Sequence, residues 1–238
     1  MLKLAIPFVL LLTSFTSQAN SDELVDALTD KADSGVVEAR YHLGMLYNNG
    51  LGVDKSPQKA FELFAQAATE GDLLAHYKVG CYYAGQFGTF EGFSPNKEKA
   101  LSHKLKAAEA GYSLAQYDVA AIYYRQGDKQ KALEWSRRAA QQGDPGALMS
   151  LMALYQEPDS DFASGTLAYQ TILKIKTLAP DNARVEEMRK SLESELEPQE
   201  VEQSKKQIAD WQPEATELTE KATQGLNRAK EVAGLVSN

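Results

Sequence analysis

Ser56-Pro-Gln-Lys59 sets a serine hydroxyl and a lysine amine one helical turn apart. That spacing suits acyl transfer, in which the lysine takes the proton of an attacking serine, and it is the Ser-x-x-Lys arrangement of enzymes that react with β-lactams. The same four residues also make a helix start, with Ser56 as N-cap and Pro57 at the first helical position. The companion Ser-Asp-Asn and Lys-Thr-Gly motifs are nowhere in the chain. A cell-wall-directed enzyme or β-lactam-binding protein using Ser56 and Lys59 therefore stands second, behind the cap. The three histidines, His42, His76 and His103, have no i,i+4 pair and no metal-type spacing, and are expected as surface or groove polar residues. The loop Gly85–Gly92 has no following Lys-Ser or Lys-Thr, so it is not a phosphate loop. Its aromatics Phe87 and Phe90, with Phe93 just beyond, either fold back over their own turn or form a contact patch. Cys81 is the single cysteine, so no internal disulfide is possible, and its first reading is a small buried hydrophobe. No catalytic set, cofactor or metal site is expected.

The elements that must position these residues recur. Ala39-Arg-Tyr-His-Leu-Gly-Met-Leu-Tyr47 is followed by Lys59-Ala60, Ala67-Ala68 and Gly71. Ala75-His-Tyr-Lys-Val-Gly-Cys-Tyr-Tyr83 is followed by Lys99-Ala100, Ala107-Ala108 and Gly111. Ala115-Gln-Tyr-Asp-Val-Ala-Ala-Ile-Tyr123 is followed by Lys131-Ala132, Ala139-Ala140 and Gly143. A fourth, weaker copy opens at Ala147. The apolar spacing within each unit predicts two helices, each with one buried stripe. Ser56, Asn96 and Asp128 are placed to cap the second helices, and Gly71, Gly111 and Gly143 to end them in the left-handed conformation. Gly44, Gly80 and Ala120 share one register, which predicts another helix backbone crossing there. The repeats start 36, 40 and 32 residues apart, and almost all of the variation lies in the turn between the two helices. That turn is therefore expected outside the stack.

The run Ala-x-Tyr-x-Leu-Gly-x-x-Tyr, then Gly-x-Gly-Val, Lys-Ala, Ala-Ala and Gly-Asp, resembles the Sel-like repeat (SLR) family, a variable-length relative of the tetratricopeptide repeat. The likeness is strong over 39–144, fair at 147–156 and weak beyond. It implies an all-α fold, a right-handed α-solenoid of helical pairs, whose usual role is to hold other proteins. The expected organisation is a signal peptide at 1–19, an N-terminal capping helix at 20–36, a solenoid at 37–180 and C-terminal capping helices and tail at 181–238. The solenoid divides into repeats of about 37–72, 73–112, 113–144 and 145–180.

The signal peptide rests on Lys3, the 12-residue apolar run Leu4–Phe15 and the small residues of Ser17-Gln-Ala19. The run is shorter than the roughly 20 residues of a membrane span. Export to the periplasm or beyond, without stable membrane insertion, is the expectation. Acidic residues outnumber basic ones, 33 to 25, which argues against a nucleic-acid partner. The expected partner is another protein or peptide, held by a monomer.

By analogy with tetratricopeptide domains, the groove positions are Tyr41, Met45, Asn48 and Asn49, then Tyr77, Cys81, Ala84 and Gly85, then Tyr117, Ala121, Tyr124 and Arg125. Tyrosine and arginine are enriched at binding hot spots. Tyrosine at the first of these positions also suits packing between helices. The function expected is a non-enzymatic adaptor or regulator.

Overall fold

The computed structural model describes residues 9–158 and 160–235, with side chains from Ser21 onward. Among them are twelve helices and no strand. They are α1 (Val9–Asp33), α2 (Val37–Asn49), α3 (Pro57–Thr69), α4 (Leu73–Tyr83), α5 (Lys97–Glu109), α6 (Ser113–Arg125), α7 (Lys129–Gln141), α8 (Pro145–Gln156), α9 (Gly165–Leu178), α10 (Ala183–Glu193), α11 (Pro198–Ile208) and α12 (Glu217–Ala233). The expected signal peptide lies outside the described residues at 1–8, and its residues 9–19 continue as helix into α1. No described helix is long and apolar enough to cross a membrane. The chain forms two compact units: residues up to His103 together with those from Lys221 onward, and Lys104–Glu220.

One local design serves every repeat. The N-cap side chains of Ser56, Asn96 and Asp128 accept from the amides of Lys59, Lys99 and Lys131 at 3.3, 2.8 and 3.0 Å. Their own amides donate back to the carbonyls of Tyr47, Tyr83 and Tyr123 at 2.9, 2.8 and 3.0 Å. This closes the turn at its base whatever its length, so the insertion at 85–96 leaves the helix pair intact. The fourth repeat has the same closure, Ser164 to Tyr155 at 2.8 Å, and Ser164 caps α9 through Leu167. Ser164 thus caps the fourth repeat's second helix as Ser56, Asn96 and Asp128 cap the others. The Lys of each Lys-Ala pair lies over the ring of the repeat's second tyrosine: Lys59 on Tyr47, Lys99 on Tyr83 and Lys131 on Tyr123, at 5.0, 5.2 and 5.0 Å. Each alanine of the pair is buried.

The repeat ends are equally regular. Asp72, Tyr112 and Asp144 donate their amides to the carbonyls of Ala67, Ala107 and Ala139, across Gly71, Gly111 and Gly143 at φ of 96°, 99° and 81°. This is the Schellman ending that only a residue at ease with positive φ allows. Asp72 and Asp144 then cap the next helix through Ala75 and Ala147 at 2.7 and 2.8 Å. α1 ends the same way, with Val36 donating to Lys31 across Gly35, so it has the geometry of a second helix preceding the first repeat.

In the first unit, Leu24, Leu28 and Ala32 of α1 pack with Ala39, Leu43 and Leu46 of α2, and Ala229 and Ala233 of α12 complete the cluster. The small residue at Gly44 meets a side chain and not a crossing backbone: a Cβ there would lie 2.8 Å from the Phe64 ring of its own repeat partner. In the second unit, one core runs from Leu133 through α8 and α9 to Val185, Leu192 and Val201. Gly225 (φ 51°, ψ −118°) breaks α12 and resets its helical phase. Leu226, directly after the break, is exposed, while Ala229 and Ala233 beyond it are buried.

Arg228 clamps both oxygens of Glu38 at 2.9 and 3.0 Å, and Lys221 adds a contact at 3.1 Å. Burial would push the Glu38 carboxyl up, but His42, Arg228 and Lys221 hold it well below the usual carboxylate range. A carboxyl lowered on folding adds stability that is present above its unfolded pKa and is lost as pH falls towards the folded value. Protection of the α12 amides in hydrogen exchange should therefore be flat from neutral pH down to about 5 and decline progressively below it. A decline between pH 7 and 5 would point to a different anchor.

Candidate functional site

The expected groove residues separate into three groups. Tyr41 and Tyr77 are 7% and 5% exposed, and Cys81 is 2% exposed. These three are core residues, not groove residues: the Tyr41 ring sits 5.9 Å from that of Phe64. Asn48 is also buried, where it accepts from the Tyr82 hydroxyl at 2.8 Å. Met45 is half-buried, and Asn49, Ala84 and Gly85 are exposed. Tyr117 is half-buried over Gly146, where a Cβ would stand 2.8 Å from its ring. Only Tyr124 and Arg125, at the end of α6, present large exposed side chains, Tyr124 at 48%.

Phe87, Phe90 and Phe93 are half-buried and fold back onto their own turn. Phe61 of α3 receives Phe90 and Phe93 at centroid distances of 5.7 and 4.8 Å, and Tyr82 receives Phe87 at 5.3 Å. Lys78 reaches across the Phe87 ring at 5.5 Å. The insertion thus carries its own small apolar cover.

The histidines differ from their expected exposure. His42 and His76 are buried because α2 and α4 turn those positions towards neighbouring helices, and His103 is half-buried. His76 and His103 meet Nδ1 to Nδ1 at 2.9 Å, so one ring donates and the other accepts. The two stand 27 residues apart on different helices, a spacing no short motif records. No group of three or more metal-binding side chains occurs among the described residues.

At Ser56 the hydroxyl is engaged with the Lys59 amide, and the Lys59 amine lies over Tyr47. The pair is built as cap and cation–π contact. Ser56→Ala should cost about 1 kcal/mol of stability, measured by urea unfolding. A fluorescent penicillin should label wild type and variant to the same background level.

What remains is a concavity in the second unit. A cavity of about 260 Å³ is floored by Ala120, Ala132, Ser136 and Leu154, with Ala121 and Ser150 beside them and Tyr124, Arg125 and Ala153 at its mouth. Three of the residues read as groove positions in the third repeat, Ala121, Tyr124 and Arg125, come together here. The cavity itself could not be read from the groove register, because its floor is shared by α6, α7 and α8 and includes Ala132 and Ser136 of the second helix.

A family profile of the Sel1 repeat matches residues 37–72, 73–112 and 113–144. The chain carries three Sel1 repeats. Among curated proteins, chitin synthase regulatory factor 3 of Schizosaccharomyces pombe is 31% identical over 150 residues, 59% of this chain and 16% of that protein. Chitin synthase regulatory factor 2 of the same organism is 30% identical over 165 residues, 66% of this chain and 29% of that protein. The chain spans less than a third of the length of these relatives. A solved Sel1 repeat protein from Oxalobacter formigenes aligns with a TM-score of 0.59 and 22% identity, over 79% of this chain and 80% of that one. A protective antigen present in uropathogenic Escherichia coli strains, with an SLR fold, aligns at 0.52 and 21%, over 89% of this chain and 51% of that one. The Sel1 solenoid of helical pairs is the fold of this chain. Sel1-repeat proteins generally serve as scaffolds for protein interaction.

Proposed function

We propose that this chain is a non-catalytic adaptor or regulator, exported to the periplasm, that holds a partner protein through helices α6 and α8 of its second unit. The observation that carries this reading is the exposed Tyr124–Arg125 pair at the mouth of a cavity, in an array whose other groove tyrosines are spent on packing. Tyrosine and arginine beside a concave apolar floor are what binding hot spots are made of. Two relatives carrying the words "regulatory factor" in their names lend weight to control of another protein over chemistry. The export half rests on Lys3, the apolar run after it and Ser17-Gln-Ala19.

Each half has its own test. Cross-linking in a periplasmic extract, followed by capture on the tagged chain, should retain a protein that Tyr124→Ala with Arg125→Ala releases. Equal retention by the double variant moves the site elsewhere, and no retention above a capped-solenoid control ends the adaptor reading. Mass spectrometry of the secreted fraction should find a mature N-terminus at Asn20. A full-length chain confined to the cytoplasm would overturn export.

A further inference from the structure

The repeats share a register, and one buried position in it is occupied differently each time. Counting four residues past the buried alanine of the second helix gives Phe64, Lys104, Ser136 and Ile172. All four are buried. Phe64 fills the space over Gly44. Lys104 takes the same register position in the second repeat and reaches Asp118 of the following helix at 2.5 Å. Ile172 is a fully buried part of the second unit's core. In the third repeat the position holds Ser136, the residue facing it on the same repeat's first helix is Ala120, and the counterpart of Asp118 on the following helix is Ser150. Three small side chains stand where the other repeats place a ring, an ion pair or a branched chain. The cavity of about 260 Å³ is the space they leave.

The mouth of this cavity carries one uncompensated charge. Lys129 is paired with Glu157 at 2.6 Å and Lys131 with Asp128 at 2.9 Å, so those four groups cancel. Arg125, exposed beside them, makes no hydrogen bond or ion pair with the described residues. A guanidinium is suited to holding a carboxylate bidentately, and an apolar space of this size admits one large side chain. Resting on the interaction reading above, we propose that the cavity seats a single large apolar side chain from a partner's peptide segment, while a carboxylate of a neighbouring residue in that segment pairs with Arg125. The partner supplies to the third repeat the group that Phe64 supplies to the first.

The test uses the whole chain and two fluorescein-labelled synthetic peptide pools, alike except that a fixed central Phe is flanked by Glu in one and by Lys in the other. Fluorescence anisotropy should show the Glu–Phe pool binding roughly tenfold more tightly than the Lys–Phe pool, and roughly tenfold more tightly than a pool with Ser in place of Phe. Arg125→Glu should reverse the charge preference. Ser136→Phe, which installs the first repeat's own filling, should weaken the Glu–Phe pool by a similar factor without lowering the thermal midpoint. Should Ser136→Phe unfold the chain, Ala153→Arg at the exposed mouth blocks the entrance without touching the floor, and the same loss is expected. Equal binding of the pools, or Glu–Phe binding untouched by Ala153→Arg, overturns the proposal. If the pools do not bind while cross-linked protein is still retained and released by the Tyr124–Arg125 double variant, the cavity assignment falls alone. If retention is also absent, the interaction reading falls with it.

Discussion

Phe64→Ala is expected to lower the unfolding free energy of the first unit by about 3–5 kcal/mol. The ring is fully buried and lies between Tyr41 and Tyr82 at centroid distances of 5.9 and 6.3 Å. Its edge rests on Gly44, which has no side chain to move into a vacated space. The neighbours that could relax are held: Tyr82 is tied by its hydroxyl to Asn48. A cavity therefore persists, and the loss includes both the apolar transfer and the empty volume. Far-ultraviolet circular dichroism in urea measures it, since both tryptophans, Trp135 and Trp211, lie in the other unit. Hydrogen exchange at α2 and α3 amides should show the change. A loss below about 1 kcal/mol, the size of an average substitution, would mean the ring is not a core determinant.

The second large effect concerns Lys104, a residue 2% exposed whose ammonium lies 2.5 Å from Asp118. Asp118→Ala takes the carboxylate away from a charge that has little water, and about 3 kcal/mol should be lost. Lys104→Met keeps the length and the apolar stem and removes the charge that needs pairing, so its cost should be within about 1 kcal/mol of zero. The double variant should recover most of what Asp118→Ala alone loses. Equilibrium unfolding of the four proteins closes the cycle. If Lys104→Met costs as much as Asp118→Ala, the pair contributes net stability and not merely a charge that must be met.

The local geometry of the repeats was legible because it is chemical and short-range. Ser56, Asn96 and Asp128 announce helix starts through their oxygen atoms, and Gly71, Gly111 and Gly143 announce ends through positive φ. The division between core and surface within one helix was less so. Tyr41 and Tyr77 take a groove register in sequence, yet both are buried, and the Tyr41 ring packs against Phe64. Tyr124 and Arg125 remained outside because they stand at the end of α6, beyond the packed stripe. Contacts set by tertiary folding left no periodic trace. The His76–His103 contact and the clamp of Arg228 on Glu38 are of this kind. So was the cavity, since an absent side chain shows only when the filled copies are laid beside the empty one.

The tail residue Arg228 meets Glu38 across 190 positions of sequence, and the unit they share draws on both ends of the chain. A ribosome makes these ends at different times. At about 5–20 residues per second, roughly 6–25 s separate the appearance of His103 from that of Lys221. During that interval the face formed by Leu24, Leu28 and Leu43 has no Ala229 or Ala233 to cover it. The portion of the molecule born first is consequently the portion completed last. A released chain ending at Glu220 should present that face to chaperones, while the intervening unit already holds every residue it needs.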